Sequence, residues 1–348
     1  MLREKAVTLL KIRPEEMHMS ILMAVLFFLV QAGIGVGDSV AFALFVSKNA
    51  PLLPYMYVPM GVIVFLVSLS YTASLGRFKN AQVVIWFLSG FALLMLGEWM
   101  VAVFFQVQIT KTFWLTVNSM GIILGTLIWT AAGEVCDARQ AKRLFPVFAS
   151  MGILGSIMGN LFTKVLSQHV GMNNMILVYA VLLGGALITL RAITKSYFKP
   201  EPPSWAGYNF INDLRVGFDY VRGSGLFRLL AVCAILYSML FFTVTFVFSI
   251  SVATHYAGDQ TQLVGFKGLF NSASALFSFL VSLIIANRLY ARIGIVNSIL
   301  LMPVTYLIGF LGSYVLFGFG SLVSLRLDRK STRLNSSHER LSRMPSSA

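Results

Sequence analysis

The sequence predicts an all-α polytopic membrane protein, and three observations carry that prediction. Apolar residues fill 57% of its 348 positions and charged residues only 11%, whereas a soluble domain carries about 25% charge. Apolar runs of about 20 residues recur, each long enough to cross ~30 Å of hydrocarbon as a helix. These runs are continuous, while the strands of a membrane β-barrel alternate lipid-facing and lumen-facing residues over shorter segments.

Nine spans follow in order, at residues 19–46, 54–75, 81–105, 113–132, 145–166, 172–194, 227–252, 263–287 and 296–316. The first exceeds a minimal span, so it tilts, kinks or protrudes. Its Gly33, Gly35 and Gly37 favour a kink or a close helix contact. Lys and Arg in the short connections set the orientation. Seventeen fall on one side: the N-terminal segment, the connections after spans two, four, six and eight, and the adjoining helix ends. The other side has Lys48, Lys111, Lys164 and Lys267. The N-terminus is therefore expected in the cytoplasm, with the chain multi-pass in the membrane.

The same asymmetry accounts for the net charge of +14. Nucleic acid is not an expected partner, because the charges are scattered over separate loops. The start, MLREKAVTLLKIRPEE, lacks the continuous apolar core and cleavage site of a signal peptide. It suits an amphipathic helix on the membrane surface. Cys136 and Cys233 are not expected to pair in a reducing cytosol. His18, His169, His255 and His338 are far apart, and no cluster has metal-ligand spacing. Neither a phosphate-cradling Gly loop nor a nucleophile elbow is present, so neither an enzyme nor a cofactor is expected.

The chain divides into a cytoplasmic segment (1–18), a six-helix bundle (19–197), a cytoplasmic linker (198–226) and a second set of three spans with the start of a fourth (227–327). In the linker, Ile211, Leu214, Phe218 and Val221 recur at helical spacing, with Asp213, Arg215 and Arg222 off that face. The spacing predicts a short amphipathic helix along the membrane surface. Six helices, a long linker and a further set resemble the plan of a major-facilitator transporter, whose second half has six. The C-terminal stretches Asp328–His338 and Ser342–Ala348 resemble the translation of a common sequencing-library adapter. The natural sequence is accordingly expected to end near Leu327 in this chain, truncated after about nine spans, with 328–348 a non-native tail.

The stretch DARQAKRLFPVFASMGILGSIMG, residues 137–159, resembles the signature of the ATP/ADP translocase family, the nucleotide carriers of bacteria and plastids. There a loop ending in EAKRFYPLFG leads into the fifth helix, and Gln140 to Phe148 here is similar to it. ALFVSKNAPLLPYMYVPMGV and NDLRVGFDYVRGSGLFRLLAV resemble divergent bacterial members. The resemblance implies a major-facilitator-like fold, alternating access, and a small-molecule substrate that is a nucleotide such as ATP or ADP, or another anion. In nucleotide carriers of that family the first helix sets a basic residue beside an acidic one. The corresponding GIGVGDSVAFALF has Asp38 and no Lys or Arg. The alternative function is a non-transporting membrane sensor or scaffold fused to a soluble regulatory module.

Candidate site residues follow from charge where charge is costly. Asp38 and Glu98 lie within spans, where a central carboxylate costs about 2.5–3.5 kcal/mol on insertion scales. Both are candidates for substrate contact or for coupling to a proton or cation. Gln31, Asn118, Trp114 and Asn160 are candidate cavity residues. No cation is expected at mid-depth, since Lys164 and Lys267 fall near outer span ends and Arg191 and Arg288 near inner ones. Glu134, Asp137, Arg139, Lys142 and Arg143 form a charged island before the fifth span. Lys142 and Arg143 are expected to pair with Glu134 or Asp137 as a cytoplasmic gate. Pro146 is expected in the first turn of the fifth helix. Gly152, Gly155 and Gly159 share a face that lets a neighbouring backbone approach.

Overall fold

The computed structural model describes residues 13–106, 108–198, 210–256 and 258–281. The expected ninth span, the tail at 328–348 and the N-terminal surface helix at residues 1–12 lie outside them. The described residues form nine α-helices and no strand. These are α1 (Met17–Asn49), α2 (Leu53–Arg77), α3 (Asn80–Phe104), α4 (Thr110–Val135), α5 (Ala138–Val170), α6 (Met175–Tyr197), α7 (Phe210–Gly223), α8 (Gly225–His255) and α9 (Gln260–Val281). Among the described residues, seven continuous stretches are long and apolar enough to cross a membrane, and the first of them, Met17–Leu75, contains α1 and most of α2. The protein is an all-α polytopic membrane protein. The 14-residue α7, in the linker, is too short to span.

Local chemistry sets the helix ends. Between α1 and α2, Ala50–Leu52 forms a 3-10 turn containing Pro51, which has no N–H to continue α1. The Asp137 side chain caps α5, and Gln140 Oε1 accepts the Asp137 N–H at 3.0 Å. This capping box starts α5 two turns earlier than its apolar run suggests. Pro146 therefore lies in the helix interior, correcting the first-turn expectation. Gly171 ends α5 with φ of 88°, in the region open to glycine. Asp259 caps α9, accepting the N–H groups of Thr261 at 2.9 Å and Gln262 at 3.2 Å.

The long α1 is the central helix. It spans 33 residues, about 50 Å at 1.5 Å per residue, and packs against α4, α5, α6 and α9. Its glycines serve close contact, without a break in the helix. The Tyr179 ring of α6 lies where a Cβ on Gly33 or Gly37 would stand, at 2.9 and 2.8 Å. On α5, Gly155 and Gly159 face the backbone carbonyls of Phe28 and Ala32, and a Cβ on Gly152 would meet Gln31 Cγ at 3.3 Å. Small residues let membrane helices approach this closely where no hydrophobic force between helices is available.

Candidate functional site

The α9 helix closes against α1 and α5 at one end of the bundle through polar groups. Lys267 Nζ lies 3.3 Å from Asp38 Oδ2 and 4.9 Å from the Phe42 ring centroid. Asn271 Nδ2 donates to Asp38 Oδ2 at 2.8 Å and to Asn160 Oδ1 at 3.1 Å. Ser39 Oγ donates to the same Asn160 oxygen at 2.7 Å, and Asn160 Nδ2 donates to the Ser156 carbonyl at 2.8 Å. Ser272 Oγ donates to the Ile157 carbonyl at 3.1 Å, and Gln260 Nε2 to Ser47 Oγ at 3.3 Å. Gly268 lets this contact form, because a Cβ there would overlap the Asn160 carbonyl.

Asp38 sits about 16 Å from the C-terminal end of α1, and Lys267 about 10 Å from the start of α9, at 1.5 Å per residue. The first helix has no Lys or Arg beside Asp38, and folding supplies one, because α9 brings Lys267 to it. The missed signal lay in α9 itself. Lys267, Asn271 and Ser278 recur at helical spacing in an otherwise apolar run, and Gly265 and Gly268 mark a close approach.

Toward the other end a gap separates α9 from the α1–α5 pair. A cleft of about 330 Å³ opens between α1 (Phe27, Gln31), α4 (Trp129), α5 (Ala149, Gly152, Ser156) and α9 (Ala275, Ser278, Phe279). Its described lining is aromatic and apolar with hydroxyl and amide groups, and no charged side chain. Asn160 and Ser156, one turn apart on α5, join the cleft to the polar closure.

The other candidates fall elsewhere. Glu98 on α3 accepts a hydrogen bond from Thr116 Oγ1 of α4 at 2.7 Å, and its second oxygen is buried without a partner among the described residues. Asn118 donates to the carbonyl of Trp114 in its own helix at 2.8 Å, and Trp114 packs on Phe45 and Tyr57. Neither Asn118 nor Trp114 lines this cleft, and both make helix contacts. The Tyr179 hydroxyl is fully buried and without a partner among the described residues.

The charged island reaches beyond its own sequence neighbours. Arg143 forks onto Glu16, with Nη2 at 3.0 Å from Oε1 and 3.2 Å from Oε2, and Gln140 Nε2 donates to Oε1 at 3.1 Å. Glu134 instead accepts from Asn80 Nδ2 at 2.7 Å, and Asp137 caps α5. Lys142 is exposed, and Arg139 borders one cavity with Arg13, Glu16 and Arg143. The island thus ties α5 to the start of α1. Glu16 was missed because it precedes the first apolar run.

Burial alone would raise the Glu16 carboxyl, but the hydrogen bonds from Gln140, the Arg13 N–H and Arg143, with the Arg143 charge, outweigh it and hold it below its ordinary value. A depressed carboxyl stabilises the fold above its unfolded value, and that contribution fades as pH falls through the folded value. Thermal stability is expected to fall on that acid side, and Glu16→Gln is expected to remove that part of the fall. An unchanged acid profile in the variant would contradict the contact. Burial, then the Glu16 and Asp137 charges, push the Cys136 thiol up to about 11. Its alkylation rate is expected to keep rising past about pH 9 rather than level off near 8.5. A plateau near 8.5 would show an unperturbed thiol.

No family model matches this chain, and no characterised protein or solved structure is significantly similar to it.

Proposed function

We propose that this chain forms the membrane-embedded body of a secondary transporter of the major-facilitator type, working by alternating access. One observation carries the reading: α9 of the second helix set meets α1 and α5 of the first tightly at one end and is separated from them by a cleft at the other. A carrier caught open to one side has this form, with its site between the two sets of helices. The excess of Lys and Arg at the cleft end supports reading that end as the cytoplasmic side, in the bacterial inner membrane that the family resemblance implies.

A nucleotide, or another anion with an aromatic body, is the substrate class that the AKRLFP resemblance supports. Phe27, Trp129 and Phe279 offer ring faces, and Gln31 offers an amide that can pair with a base edge. Arg139 and Arg143 stand on α5 at the cleft end of the bundle, where phosphate groups need cations. The full-length gene product in liposomes is expected to exchange labelled ATP for ADP. Ser156→Phe, which fills the cleft, is expected to abolish that exchange. Uptake no greater than that of empty vesicles, from folded protein, would end the nucleotide assignment.

A further inference from the structure

We infer that the basic cavity at the start of α1 and α5 is a phosphate site, and that an acidic phospholipid of the adjoining leaflet supplies the phosphate. The site is independent of the transport reading.

The cavity measures about 680 Å³ and holds the first residues of the charged island. Three guanidiniums, Arg13, Arg139 and Arg143, line it against two carboxylates, Glu16 and Asp137, which leaves one positive charge over. Glu16 already accepts from Gln140, Arg143 and the Arg13 N–H, and Asp137 caps α5. The guanidiniums of Arg13 and Arg139 are exposed and have no partner among the described residues. A guanidinium is a planar fork of donors that matches the oxygens of a phosphate. An anion entering the cavity therefore meets two uncommitted forks, with Arg143 behind them.

Depth and shape point to a lipid as its source. Glu16 directly precedes Met17, where the first apolar stretch starts. Arg143 is the last charged residue of α5 before its apolar run. The cavity thus stands at headgroup level, where basic pockets between membrane helices bind acidic headgroups. A track for the tail continues from it. Arg139, Arg143, Val147, Leu154 and Met158 recur at helical spacing on one face of α5. On that face Leu154 is 49% exposed and Met158 42%, while Gly155 and Gly159 seal another face against α1. Leu154 stands 11 residues past Arg143, about 16 Å along the helix. Half of a ~30 Å hydrocarbon core is about 15 Å. A phospholipid with its phosphate between Arg13 and Arg139 can therefore lay an acyl chain over Val147 and Leu154, a stripe that a soluble phosphate leaves unused. The cleft is a separate place, since its lining on α5 begins at Ala149, ten residues or about 15 Å beyond Arg139.

Native mass spectrometry of the purified full-length protein tests the site, with phosphatidylglycerol and phosphatidylcholine of identical chains offered in competition. Preferential retention of phosphatidylglycerol is expected. Arg13→Gln with Arg139→Gln is expected to lose about 30-fold of that preference, about fivefold for each cation beside an acidic headgroup. Its melting temperature should match the parent's, because neither guanidinium holds a described partner. Lys142→Gln removes an exposed charge that does not line the cavity, and should keep the preference. Equal retention of the two lipids by the parent protein would overturn the inference. So would a loss in Lys142→Gln as large as in the double variant, which would show diffuse surface charge and no built site. Parallel titrations use ATP and inorganic phosphate. Binding of either that the double variant loses, with no preference between the lipids, would give the arginines to a soluble phosphate and overturn the lipid source. Transport is read separately by the liposome exchange assay, so failure of the lipid site leaves the transport reading standing wherever folded protein still exchanges substrate.

Discussion

Gly155→Leu is expected to unseat α5 from α1 and to prevent the protein from reaching its folded state in detergent or lipid. Even a methyl group at Gly155 overlaps the Phe28 carbonyl, and one at Gly159 overlaps the Ala32 carbonyl. Backbone cannot rotate away as a side chain does, so the two helices must separate. Overpacking a tight interface costs about 1–3 kcal/mol, and separation also loses the dispersion contacts along both helices. Gly155→Ala and Gly159→Ala are expected to lower the melting temperature, and the double variant more than either alone. Gly97 and Gly125 provide the internal control, since nothing lies within 4 Å of a Cβ at either. Alanine there should be neutral or stabilising by up to about 1 kcal/mol through helix propensity. Equal effects at all four positions would show that the α1–α5 interface is not close-packed. The measurement is thermal aggregation of the purified protein.

Lys267→Met is expected to destabilise the bundle by about 2–3 kcal/mol, because it leaves Asp38 ionised without a counter-charge inside a span. The partial exposure of the pair keeps the cost at the low end of what a fully buried pair would lose. Removing both charges tests the cause. Asp38→Asn with Lys267→Met should recover most of the loss, since Asn can still accept from Asn271. If the double variant is as unstable as the single one, the loss comes from packing over Phe42 and not from unpaired charge. The double-mutant cycle on melting temperature separates the two.

The fold class and most helices were legible because a membrane span needs length and apolarity, and both are local. Spans one to eight and the amphipathic α7 were placed near the helices that the structure describes. The start of α5 was misread because apolarity was weighed above capping. Asp137 and Gln140 stand three apart, as a capping box requires, but Asp137 was weighed only as part of the charged island and Gln140 only as part of the AKRLFP stretch. The glycine face of α5 could be read from spacing alone, since only the partner remained unknown.

The candidate site was less legible. Asp38 and Gln31 stood out as polar groups in a span, but which partner reaches them is decided by α9, more than 200 residues along the chain. Nothing local in the first helix announces Lys267. Glu16 was illegible for a related reason, since it is a carboxylate that α1 brings to Arg143 from 127 residues away.

Two-sided labelling of single cysteines in sealed vesicles tests most directly whether the cleft and the polar closure belong to opposite sides of one membrane. Ala149→Cys lies in the cleft, and Thr261→Cys lies at the start of α9 beside the closure. An impermeant thiol reagent added inside should modify Ala149→Cys, and the same reagent added outside should modify Thr261→Cys. Modification of both from one side would contradict a carrier closed at one face and open at the other.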